Sequence, residues 1–228
     1  MQMEGIKLEA YKLLSFDKIT STQDYAHDLI AKGSAKNKMV ITALTQTAGR
    51  GKYRRTWVSR RGNLYASFIL KSPERDPRLA YAIGVAVSET LISFGLEPQI
   101  KWPNDVLIDG KKISGTLIEY ADNFVIVGIG ININSCPNIK EYQTTKMNKY
   151  AKVEVKDVLN VLMKKIDKWH NADFVIVRDR WMILSSALNK IIKYHGKPAE
   201  IIGLNEDGGL VLRDGEKYIL TYGDEISI

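Results

Sequence analysis

Lys101-Trp102-Pro103-Asn104-Asp105-Val106, followed six residues later by Lys112-Ile113-Ser114-Gly115, places an acid, an amide and two amines among β-branched and aliphatic neighbours. A strand has no structural need of such groups, and the segment reads as a site. Proline fixes φ and removes a backbone donor, so Trp102-Pro103 is expected to form a rigid apolar corner. Contact between Asp105 and Lys112 does not follow from the spacing. As a surface ion pair they would contribute under ~1 kcal/mol.

A second chemical segment is Gln46-Thr47-Ala48-Gly49-Arg50-Gly51-Lys52, followed by Arg54, Arg55 and Trp57. Glycines allow close backbone approach, and arginine offers a planar fork, so the loop can present backbone donors and a guanidinium to a carboxylate or phosphate. Taken alone, it is equally a solvated basic loop. Gly128-Ile129-Gly130 lacks the third glycine of a dinucleotide fingerprint, and Ile131-Asn132-Ile133-Asn134 continues as strand, which excludes that reading.

The elements that must carry these groups are legible in outline. Ser21-Thr22-Gln23-Asp24 caps a helix that ends at Gly33, Met39 to Gln46 reads as a strand, and Asn63 to Leu70 as another. Leu79, Ile83, Ala86, Val87, Leu91 and Phe94 recur at helical spacing and stop at Gly95. Val106-Leu107-Ile108 and the run from Ile113 flank Asp109-Gly110, the dipeptide of a tight antiparallel hairpin. Phe124 to Ile133 is a continuous apolar strand, and helices are expected over Val155 to Trp169 and Phe174 to Ser186. From Lys197 short strands alternate with Asn205 to Gly209 and Asp214-Gly215, the texture of a small β-barrel.

The chain has 228 residues, 45% hydrophobic and 26% charged, as in ordinary soluble domains. No apolar run reaches the ~20 residues of a membrane span, and Met1 to Ile6 lack the pattern of a secretory signal; a cytoplasmic protein without membrane partners is expected. The single Cys136 excludes an internal disulfide, and His27, His170 and His195 lie too far apart in sequence for a structural zinc motif. The net charge of +7 invites a nucleic-acid reading, but the excess is dispersed apart from Arg50, Lys52, Arg54, Arg55, Arg60 and Arg61.

Three blocks in order, Gln46 to Lys52 with Trp57, Lys101 to Asp105 with Lys112 to Gly115, and Gly128 to Asn134, resemble the biotin protein ligases. The resemblance implies a mixed α/β (α+β) fold: a catalytic domain like that of class II aminoacyl-tRNA synthetases over residues 1–187 and an SH3-like barrel over 188–228. It implies an ATP-dependent ligase that makes biotinyl-5′-AMP with Mg²⁺ and transfers biotin to a lysine of a biotin carboxyl carrier protein. Some such ligases carry an N-terminal helix-turn-helix; here the strand and loop chemistry begins within the first fifty residues and leaves no room for one, so no specific nucleic-acid partner is expected. A homodimer remains open.

Residue by residue, the resemblance assigns biotin to Ser21, Thr22, Gln23, Gln46, Arg50, Gly51, Lys52, Lys112 and Gly115. It assigns the nucleotide end to Arg50, Arg55, Trp57, Asn104, Lys112 and Asn132, and catalysis to Lys112, Asp105 and Arg50. Gln23 stands where the family pattern has Asn, and Lys52 where a second arginine is commoner, which keeps the charge and loses the fork. No direct metal ligand is assigned; Asp105 either orients the incoming amine or helps hold Mg²⁺. Lipoate–protein ligases share the fold and the adenylate logic, but match only parts of the central block.

Overall fold

The computed structural model describes residues 11–102 and 104–222. The expected proline corner at Pro103 and the Met1 to Ile6 stretch lie outside the described residues. Strand β1 (Lys12–Ile19) leads to helix α1 (Thr22–Ala31), β2 (Met39–Gln46) and β3 (Leu64–Lys71). Helix α2 (Leu79–Ile92) precedes the short strands β4 (Gln99–Lys101) and β5 (Asp105–Ile108) and the longer β6 (Lys111–Ala121) and β7 (Phe124–Ile131). Helices α3 (Val155–His170) and α4 (Phe174–Leu184) then lead to β8 (Ile191–Tyr194), β9 (Lys197–Leu204), β10 (Leu210–Asp214) and β11 (Lys217–Thr221).

Seven strands form one sheet in the order β1-β2-β3-β7-β6-β5-β4. Two compact units divide the chain. One gathers the chain up to Arg61 with Tyr65–Arg75 and Leu117–Ile129; the other gathers Gly62–Leu64, Asp76–Thr116 and the chain from Gly130 onward.

In the first unit, the Ser21 hydroxyl accepts the Asp24 N–H and starts α1 as the sequence anticipates. Helical spacing puts Ala26 and Ile30 on one face, where they pack with Met39, Ile41, Ile69 and Ile126. Burying these aliphatic groups supplies ~25 cal/mol per Å² of apolar surface removed from water. β3 is buried along all but its last residue, as expected of an interior strand.

In the second unit, α2 is buried nearly all round. α3 presents Val158, Leu159, Leu162, Ile166 and Trp169 as one buried face. Glu89 of α2 receives Arg180 of α4 and Lys165 of α3, so a charged group within this layer is matched from two helices. Tyr81 meets Trp181 edge-on at 5.4 Å and donates to the Gly208 carbonyl at 2.7 Å.

The last four strands form an antiparallel sheet ordered β11-β10-β9-β8. Among the described residues its edges at β8 and β11 do not pair, so the expected SH3-like barrel is matched only loosely. Closure needs an extra pairing between edges, and the four strands here pair only with sequence neighbours. No helix among the described residues is long and apolar enough to cross a membrane.

Candidate active site

The first unit gathers most of the residues expected to hold biotin, while Lys112 and Gly115 of that set lie in the second. Thr22 donates through its backbone N–H and its hydroxyl to Gln46 Oε1, at 2.8 and 3.1 Å. A carboxamide oxygen used in this way turns its Nε2 outward, and that nitrogen donates to Ser59 at 2.8 Å. Ser67, a buried hydroxyl on β3, lies within hydrogen-bond distance of Thr22 Oγ1 (2.9 Å) and Gln23 Oε1 (3.0 Å). Ser21, Thr22 and Gln23 are all buried. These contacts form a ribbon of hydroxyls and amides with no charge of its own.

Gln23 carries the ribbon onward. Its Nε2 donates to Glu119 at 2.9 Å and to the Ile126 carbonyl at 3.3 Å, so the longer arm than asparagine is accommodated within the unit. Gly128 explains how. A Cβ there would lie 2.5 Å from Gln23 Oε1, so this glycine gives room to the amide.

The basic loop is a narrow hairpin. Trp57 N–H donates to Gly49 O at 2.9 Å and Gly51 N–H to Arg55 O at 2.7 Å, with Arg50 and Thr56 bridged between them. A Cβ on Gly49 would lie 2.5 Å from the Trp57 carbonyl, which is why the approach needs glycine. Lys52 and Tyr53 lie in the short turn at the tip, with Tyr53 in the left-handed region at φ 54°. Arg55 is exposed, while Gly51, Lys52 and Trp57 are half-buried.

Arg50 does not project freely from this hairpin. Its two terminal nitrogens donate to the two oxygens of Glu119, each at 2.8 Å, and its Nε lies 2.7 Å from Asp24 Oδ1 but off the hydrogen-bonding direction. His27 Nε2 also meets Glu119 Oε2, at 3.0 Å. Burial alone would raise the Glu119 carboxyl, but hydrogen bonds from Arg50, Gln23 and His27 outweigh it and hold the group below the usual glutamate range. The hydrogen bonds to Glu119, opposed by burial and aided by the charges of Glu119 and Asp24, move Arg50 up, so it stays charged.

The second unit gathers the central block. The Asp109-Gly110 turn has positive φ at both residues, 51° and 70°, as a two-residue hairpin of this hand requires. Leu107 then opposes Lys112, and a register shift between Val106 and Leu107 displaces the strand end. Asp105 shares the face of Leu107, and the diagonal partner comes within reach: Lys112 Nζ lies 2.7 Å from Asp105 Oδ2. The spacing alone left this contact open.

Lys112 is fixed through its backbone, donating to Gln143 O and accepting from Thr145 N–H, each at 2.9 Å. Its ammonium stands 5.4 Å from the Tyr142 ring centre. Asn132 donates through its backbone to Ile113 O at 2.9 Å and through Nδ2 to Thr145 O at 3.1 Å. That bond fixes its amide orientation and leaves Oδ1 buried, without a partner among the described residues. Buried Asn104 donates weakly to Thr116 O at 3.3 Å, and Gly115 lies half-buried on β6.

Several residues that hold these groups in place escaped the sequence reading. Asn63 accepts the backbone N–H groups of Ile133, Asn134 and Ser135 on one oxygen, at 2.9, 2.9 and 3.1 Å, and thereby fixes the chain after Asn132. Glu119, Asp24, His27, Ser67 and Ser59 complete the network in the first unit. Glu119 had a signal, being the lone charge between Ile113 and Ala121, where an unpaired carboxylate would be costly.

Comparison with known proteins places this geometry in a family. The bifunctional ligase/repressor BirA of Bacillus subtilis is 29% identical over 98% of this chain and 77% of its own length. The biotin–[acetyl-CoA-carboxylase] ligase of Paracoccus denitrificans is 27% identical over 76% of this chain and 83% of its own. Among solved structures, the Aquifex aeolicus biotin protein ligase in complex with biotin and ATP superposes with a TM-score of 0.83 at 28% identity, covering 95% of this chain and 97% of that one. The Leishmania major biotin protein ligase bound to biotinyl-5-AMP gives 0.71 at 25% identity, covering 93% and 99%. The model of the Biotin/lipoate A/B protein ligase family matches residues 15–134, more than half of the chain, and the chain belongs to that family.

Proposed function

We propose that this protein is an ATP-dependent biotin–protein ligase acting on a biotin carboxyl carrier protein. In the first step a biotin carboxylate oxygen attacks the α-phosphorus of ATP, the bond to the bridging oxygen breaks, and pyrophosphate leaves. In the second the carrier lysine nitrogen attacks the acyl carbon, the bond to the AMP oxygen breaks, and the amine gives up its proton. ATP, entering with Mg²⁺, is a co-substrate, and its use fits a cytoplasmic setting.

The observation that carries the reading is the uncharged ribbon Gln46–Thr22–Ser67–Gln23 ending at Arg50. A ureido ring is neutral, donates through nitrogen and accepts through oxygen, which hydroxyls and carboxamides can satisfy. Ser21, Thr22, Gln23 and Gln46 are assigned to that ring, and Arg50, Gly51 and Lys52 to the activated carboxylate. In the other unit Lys112 is assigned to the negative charge that gathers on carboxylate and α-phosphate during attack. Asn132 Oδ1, which has no partner among the described residues, is an acceptor suited to an amine or hydroxyl of the nucleoside, with Asn104, Arg55 and Trp57 as further contacts, and Gly115 is assigned to biotin. Asp105, paired with Lys112, is assigned to orienting the carrier amine, and service to Mg²⁺ is its alternative. The basic loop serves the adenylate and no duplex.

Pyrophosphate release should depend on biotin and not on lipoate, and biotin should then appear on a carrier lysine. Release driven equally by lipoate would move the chain to the other half of its family. Arg50→Ala should let biotinyl-adenylate escape and label bystander lysines, and retention by that variant would remove Arg50 as the clamp.

A further inference from the structure

We infer that Glu119 is the positioning residue of Arg50, converting it from a mobile cation into a directional donor for the activated intermediate. The inference rests on the assignment of Arg50 as the clamp. Glu119 lies on β6, 69 residues beyond Arg50, and receives both terminal guanidinium nitrogens at 2.8 Å. Two parallel bonds fix the plane of a guanidinium, which one contact does not do.

The carboxylate is itself held. Gln23 and His27 approach Oε2 at 2.9 and 3.0 Å, which restricts rotation of the carboxylate about its own axis. Arginine has five N–H groups. Two face Glu119 and the Nε group lies beside Asp24 Oδ1, off the hydrogen-bonding direction, which leaves one N–H on each terminal nitrogen for a ligand. Charge supports the same conclusion: Arg50 with Asp24 and Glu119 sums to one negative charge, so the trio attracts an anion through aimed N–H groups and not through net field.

Gln23 makes the arrangement specific to the site. Its Nε2 must face the carboxylate, which only accepts, so its Oε1 faces Ser67 and through it Thr22. Glu119 therefore joins the residues assigned to the biotin head to the residue assigned to the clamp. A glutamate serving the fold alone needs no such link.

The test is a double-variant cycle on the full chain. Wild type, Glu119→Gln, Arg50→Ala and the double variant are loaded with biotin and MgATP, freed of excess ligand, and followed for escape of biotinyl-adenylate. Losing a charge-assisted pair should speed escape by about 10–100-fold in Glu119→Gln, and the double variant should leak no faster than Arg50→Ala. Wild-type retention by Glu119→Gln, or effects that multiply in the double variant, would overturn the inference while leaving Arg50 as the clamp. Retention by Arg50→Ala would overturn the clamp assignment and this inference with it. Should Glu119→Gln fail to accumulate folded, Glu119→Asp, which keeps the charge but is one methylene too short to reach the guanidinium from β6, goes through the same cycle with the same expected sign.

Discussion

Arg50 and Lys112 are each matched to a carboxylate, yet the two pairs are built differently. Arg50 is held through its side chain, by two parallel bonds to a glutamate that is distant in sequence and is itself gripped by Gln23 and His27. Lys112 is held through its backbone, by the strap of Gln143 and Thr145, while its ammonium ends a flexible stem, in short contact with Asp105 and 5.4 Å from the Tyr142 ring centre. The difference suits the tasks proposed for them. A clamp on a formed intermediate benefits from fixed direction, whereas a group that follows charge developing at phosphorus benefits from a compact cation able to shift.

The largest expected effect breaks the lysine side of this comparison. Lys112→Ala should slow single-turnover adenylate formation by roughly 10²–10³ and leave the thermal midpoint close to wild type, because a partly exposed pair adds little stability. Adenylation at a near wild-type rate would take Lys112 out of the chemistry.

Asp105→Ala comes next, with transfer from preformed biotinyl-adenylate reduced by about 10–100-fold. The defect should shrink as pH rises, since an ordinary lysine amine titrates near ~10.4 and arrives protonated at neutral pH. Normal transfer combined with failed adenylation would move Asp105 to the magnesium and nucleotide.

Arg50→Lys keeps the charge and removes the fork. Its adenylate should escape roughly tenfold faster than from wild type. Wild-type retention would mean that charge suffices, and that the contrast between the two pairs has no functional content.

The smallest effect concerns acid stability and compares Glu119 with Glu89. Burial alone would raise both carboxyls, but hydrogen bonds from Arg50, Gln23 and His27 to the first, and from Arg180 and Lys165 to the second, bring both below the ordinary range. A folded-state value below the unfolded one, ~4.3 for glutamate, gives stability that is present above that pH and lost as pH falls through the folded value. Glu119→Gln and Glu89→Gln should each flatten the fall in urea midpoint between pH 6 and 3. Only Glu119→Gln should also speed adenylate escape. If Glu89→Gln did so equally, the Glu119 effect would be one of general stability.

Local signals carried much of the fold. Ser21 and Gly33 bound α1, Asp109-Gly110 turns the β5–β6 hairpin, and apolar spacing marks α2 and α3, because caps, tight turns and helical periodicity are decided by residues within a few positions of each other. The sequence also named Arg50, Asp105, Lys112 and Asn132. β1 and β8 were not legible: Lys12–Ile19 buries none of its apolar residues fully, and Ile191–Tyr194 is four residues long. The open C-terminal sheet was not legible either, since turn spacing reports strands and not whether their edges meet. What tertiary structure alone decided is which groups touch. The pairing of Leu107 with Lys112 across the hairpin puts Asp105 within diagonal reach of Lys112, and the meeting of β6 with the basic loop gives Arg50 its glutamate. Pairings across 69 residues depend on sheet register and side-chain facing, and a one-residue slip would turn Glu119 to the opposite face.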